Sequence, residues 1–121
     1  MLRETKNVRQ VSNESKRRWF SDEFFDLIVW LNDRDEITGL QLCYDLPGDE
    51  RALTWRKQSG YTHDRIDTGE DEAGIIKASP ILVLDGIFEY DKIAEKFKEA
   101  SGEIDKNIAD FVYSKIWEYP A

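Results

Sequence analysis

Apolar and polar positions alternate along two stretches of the chain, and a polar loop separates them. Residues 24–32 (FFDLIVWLN) and 37–45 (ITGLQLCYD) are rich in β-branched and aromatic side chains, with Asp33-Arg34-Asp35-Glu36 between them, which predicts a hairpin. Pairing Asn32 with Ile37 puts Phe25, Leu27 and Val29 beside Tyr44, Leu42 and Leu40 on one face. Asp26, Ile28 and Trp30 then oppose Cys43, Gln41 and Gly39 on the other. A slip of one residue would mix the two sets, so the pattern selects its own register. Residues 51–57 (RALTWRK), after the turn residues Pro47-Gly48-Asp49, continue the meander. Placing Arg51 opposite Tyr44 adds Leu53 and Trp55 to the apolar face, and Ala52, Thr54 and Arg56 to the other.

Upstream, residues 7–11 and 16–20 are expected to be two more strands, and residues 81–84 after Pro80 are read as a short strand or the lead into a helix. The period then changes. Ile93, Ala94, Phe97 and Ala100 recur at helical spacing over residues 91–101, with Asp91 as the expected N-cap and Gly102 as the C-cap. Over residues 105–119, Ile108, Phe111, Val112, Ile116 and Tyr119 form a second stripe, widened by Ala109, Tyr113 and Trp117. The expected fold is therefore α+β: an antiparallel meander of about four to six strands, then two C-terminal helices packed on one face. One domain is expected over residues 1–121.

Composition narrows the function classes. The chain has 121 residues, 40% hydrophobic and 12% aromatic, enough for a real core. No apolar run is long enough for a membrane span, and a lone cysteine excludes an internal disulfide, so a cytoplasmic setting is expected. The net charge of −8 is uneven: residues 1–60 hold 10 Lys/Arg against 11 Asp/Glu, and residues 61–121 hold 7 against 14. That acidity argues against nucleic acid as a partner. The basic residues Arg9, Lys16, Arg17 and Arg18 would carry such binding if it occurred.

Residues 60–74 (GYTHDRIDTGEDEAG) hold the only histidine and five carboxylates, and are expected to form an acidic surface loop. His63 with Asp64 and Asp67 has the residue types for acid–base or metal-assisted chemistry. The spacing fits no calcium loop, HExxH or paired CxxC, so no metal is predicted. No GxGxxG or GxxxxGK[ST] is present, so no cofactor is predicted. Cys43 reads as a packed small hydrophobe in mid-strand.

The segments RRWFSDEFFDLIVWL, GLQLCYD, RALTW and YTHDRID ahead of PILVLDG resemble a set of small bacterial proteins with no assigned function, over about residues 16–86. The resemblance implies a bacterial origin and transfers no activity.

The face opposite the core offers a more specific surface. Gly39 lies between Trp30 and Arg56, so the indole can cross it and meet the guanidinium. Trp30, Gln41 and Arg56, with His63 at a bordering loop, are the expected ligand or partner surface. The leading expectation is a non-catalytic binding or protein-interaction module for an unidentified small ligand or protein, self-associating as a homodimer. The alternative is a small enzyme using His63 with Asp64 or Asp67.

Overall fold

Among the described residues the hairpin is the centre of a seven-stranded antiparallel sheet whose strands neighbour one another in chain order. The structure, a computed structural model, describes residues 1–5, 16–46, 48, 50–67, 81–84 and 88–120 (the backbone alone for 66, 67 and 81–84). The strands are β1 (Arg3–Glu4), β2 (Lys16–Ser21), β3 (Phe25–Leu31), β4 (Ile37–Tyr44), β5 (Arg51–Arg56), β6 (Gly60–Asp67) and β7 (Ile81–Leu84). The expected strand over residues 7–11 lies outside the described residues.

Register follows the hydrophobic pattern. Phe25, Leu27 and Val29 oppose Tyr44, Leu42 and Leu40, and those three oppose Arg51, Leu53 and Trp55. Only the loop end differs. Ile37 pairs with Leu31 rather than Asn32, because a bulge follows Trp30. The Asn32 side-chain oxygen accepts from the backbone N–H groups of Arg34 and Glu36 at 2.9 and 3.0 Å, and Asp35 takes a positive φ of 60°. Asn32 is thus drawn into the turn and lost to the ladder.

The expected loop over residues 60–74 is corrected for its first half: residues 60–67 are strand β6, paired with both β5 and β7. The rest of that segment lies outside the described residues. A three-residue turn over 57–59 ends at Gly60, whose φ of 81° glycine adopts without strain. Pairing with β5 over residues 60–65 and with β7 over residues 64–67 holds the backbone in the sheet, so only every second side chain must suit the core. Tyr61 and His63 take those positions.

Helices α1 (Tyr90–Ala100) and α2 (Lys106–Trp117) follow the sheet. The cap of α1 falls at Glu89, not Asp91, and its C-cap is Ser101, not Gly102. The Glu89 carboxylate binds Lys92 at 2.7 Å and makes no capping hydrogen bond. Asp105 caps α2 by accepting from the Asn107 N–H.

Ile93 and Phe97 of α1 and Ile108, Val112 and Ile116 of α2 join Phe20, Phe25, Leu27, Leu40, Leu42 and Leu53 of the sheet in one buried cluster. Each such side chain contributes about 1.5–3 kcal/mol on burial. Leu2, also in the cluster, donates its backbone N–H to the Ala100 carbonyl at 2.8 Å, tying the start of the chain to the end of α1. Trp117 packs edge-on against Tyr90 of α1 and Tyr113, so α2 meets α1 as well as the sheet. Both helices cover one face; the other carries the Trp30 row. Among the described residues no helix is long and apolar enough to cross a membrane.

Candidate functional site

Alternation along β2–β6 sends Trp19, Ile28, Trp30, Gln41, Thr54, Arg56 and Thr62 to the face without helices. Trp30, Gly39 and Arg56 are consecutive cross-strand partners in one row. The Arg56 guanidinium lies over the Trp30 indole at 4.1 Å from the ring centroid, a cation–π contact worth about 0.5–2 kcal/mol. Gly39 permits it: a Cβ there would stand 3.2 Å from Trp30 Cε3 and 3.1 Å from the Trp55 carbonyl oxygen. In the next row Gln41 donates to the Thr54 hydroxyl at 3.1 Å. Trp19 donates its indole N–H to Asp26 at 2.6 Å. Trp19, Ile28, Trp30, Gln41 and Thr54 are all half-buried. The surface is held together by its own side chains.

The row Ser21, Asp26, Cys43, Ala52, Asp64 crosses the same face farther along. Burial raises the Asp26 carboxyl against the lowering pull of the Trp19 hydrogen bond. Burial also raises Glu50, with the Asp26 charge adding to it. The Cys43 thiol is pushed up to about 12 by burial and then by the charges of Glu50 and Asp26. A thiol in that setting is no nucleophile near neutral pH.

His63 is not part of this face. It stands opposite Leu53 on the helix side and is 3% exposed. Its Nε2 shares a 2.5 Å hydrogen bond with the Tyr44 hydroxyl, and the two rings lie parallel, 7° apart. Phe88 and Tyr119 complete an aromatic enclosure with ring centroids 4.9 and 6.4 Å from the imidazole. Trp30, Gln41 and Arg56 are therefore brought together, and His63 is separated from them by the thickness of the sheet. The same alternation splits His63 from Asp64, its neighbour in sequence. The Asp67 backbone ends β6 four positions on, about 13 Å along the strand. Among the described residues no three His, Cys, Asp or Glu side chains are grouped to hold a metal ion.

The N-terminal cations are engaged internally. Lys16 pairs with Asp35 at 3.2 Å, and Arg18 bridges Glu4 at 2.6 Å and Asp105 at 3.2 Å. The groove of about 750 Å³ beside them is lined by these paired groups. Arg17 lies opposite Trp30 and has interactions of its own. Arg9 lies outside the described residues.

What sequence reasoning missed was the inward position of His63, which it placed in a loop, whereas Tyr44 stands on the apolar face where the register put it. In GYTHDRID only Tyr61 and His63 alternate inward against Thr62 and Asp64, and the polar residues on both sides hid the strand. Compared with protein-family models, curated proteins and solved structures, the chain matches none.

Proposed function

We propose that the chain is a non-catalytic protein-interaction module of the bacterial cytoplasm, self-associating as a homodimer through the sheet face around Trp30 and Arg56. One observation carries this reading: the face opposite the helices bears half-buried Trp19, Ile28 and Trp30 interlocked with satisfied polar groups. A solvated sheet face is ordinarily lined by charged and small polar side chains. Tryptophan and arginine are instead the residue types that anchor protein interfaces, where lysine and glutamate are depleted. A two-fold contact between identical faces would bring this row against itself. The acid–base alternative has less support, since His63 is enclosed by aromatic rings and Asp64 faces the other way.

Size-exclusion chromatography with light scattering at tens of micromolar tests the reading. The expected result is a dimer mass for the native chain and a monomer mass for Arg56→Ala with unchanged circular dichroism. A native chain that stays monomeric over this range would refute self-association. So would an Arg56→Ala and Trp30→Ala pair that both remain dimeric.

A further inference from the structure

The face around Trp30 is divided by charge along its strands. Arg17, Trp30, Gly39 and Arg56 form the row at one end of β2–β5. Trp19, Ile28, Gln41 and Thr54 form the middle row, which carries no charge. Ser21, Asp26, Cys43 and Ala52 form the row at the other end, and Asp64 continues it on β6.

The two ends have opposite sign. Arg56 is exposed, stacks on Trp30 and meets no carboxylate among the described residues. The acids Asp35 and Glu36 of the adjoining turn are engaged elsewhere, by Lys16 and Asn32. At the other end Asp26 accepts from the Trp19 indole and meets no cation among the described residues. Glu50, the residue before β5, belongs to that end: its charge and that of Asp26 both raise the Cys43 thiol, and Asp26 raises Glu50. Glu50 has no cation partner among the described residues either. Arg3, opposite Ser21, lies out on the edge strand β1. Glu50 and Arg56 are 56 − 50 = 6 residues apart, about 20 Å along a strand. That exceeds the Debye length of about 8 Å at physiological salt, so the two ends do not neutralise each other within one chain.

Two identical faces can meet about a two-fold axis in two ways. An axis along the strands opposes like charges, Arg56 to Arg56 and Asp26 to Asp26, which disfavours the contact. An axis along the middle row reverses the strands of the second copy and keeps the two sheets aligned, as stacked sheets require. The basic end of each copy then lies over the acidic end of the other, and symmetry makes the match twice.

We propose that the occupant of this face is a second copy of the chain with its strands reversed, the Trp30–Arg56 end of each copy over the Asp26–Glu50 end of the other. This rests on the dimer proposed above and adds its direction and the ion pair that sets it, Arg56 with the partner's Glu50. Trp19 and Ile28 meet their own copies at the centre, giving an apolar core with its charges towards the rim.

Charge reversal, read as the dimer dissociation constant by sedimentation velocity, tests the direction. Arg56→Glu and Glu50→Arg are each expected to weaken the dimer by about tenfold or more with unchanged circular dichroism, since each opposes like charges twice. The two changes combined in one chain are expected to bind at least about tenfold more tightly than either alone. Such recovery can only arise across the interface, because the positions are too far apart to interact within a monomer. Glu50→Gln gives a second reading by its sign. It should weaken the reversed dimer by about threefold or more, whereas it would tighten one that lays like charges together. A native dimer whose combined variant is no tighter than the single ones, or which Glu50→Gln tightens, would overturn the reversed arrangement and leave the dimer standing. A monomeric native chain would overturn both.

Discussion

At Cys43 the sheet environment decides the chemistry of a single side chain. Its thiol, pushed up to about 12, is almost wholly protonated at pH 8, whereas an ordinary thiol near 8.5 is partly ionised. Native protein should react with an aromatic disulfide reagent about a thousandfold more slowly at pH 8 than protein unfolded in urea. Comparable rates would mean that the thiol is neither buried nor surrounded by charge. The residues that face a common side were legible wherever alternation was strong. Trp30, Gly39 and Arg56 fell into one row from register alone, and the gap left by Gly39 implied the stacking. The position of His63 was not legible, because an inward histidine depends on a partner, and Tyr44 lies 19 positions away in sequence. A hydrophobic pattern records which residues avoid water, but not which polar residues find one another inside.

Among the elements, α2 is joined to the far edge of the sheet through Asp105. One carboxylate oxygen caps the helix by accepting from Asn107, and the other accepts from Arg18, which also holds Glu4 of β1. Removing the cap with Asp105→Ala should cost about 1 kcal/mol in urea denaturation. Asp105→Asn keeps the cap and loses only an exposed ion pair, so its cost should stay within about 0–1 kcal/mol. The Arg18 hydrogen bond is the main cause holding both Asp105 and Glu4 below their ordinary values. A carboxyl lowered on folding stabilises the fold above its unfolded value and loses that contribution as pH falls through the folded one. The gap between native and Asp105→Asn stability should therefore be full at pH 7 and shrink below about pH 4. A gap independent of pH would show that the ion pair contributes nothing. Strands β2 to β5 and both helices could be read from their periods, 2 and 3.6. Their ends could not: the bulge after Trp30 and the cap at Glu89 depend on hydrogen bonds of single side chains that compete with the ladder or the helix.

For the whole molecule, the change of period after β7 was enough to give an α+β architecture, because strands joined in succession by short turns pair with their neighbours. What the period did not disclose was how far the meander extends. β6 was hidden by its polar residues, and β1 has only two. The order of the elements carries a consequence for synthesis. Every strand precedes both helices, so Phe25, Leu27, Leu40, Leu42 and Leu53 are complete as an apolar face before their cover exists. From Leu84 to Trp117 is 117 − 84 = 33 residues, which at about 5–20 residues per second leaves that face bare for about 2–7 s. A chain stopped after residue 89 should accordingly be insoluble or bound to chaperones, as read by fractionation of nested truncations. A soluble monomeric fragment would contradict this. On a ribosome, the greasy side of this sheet waits for its lid, and the interval is one in which a chaperone that binds nascent chains would find a substrate.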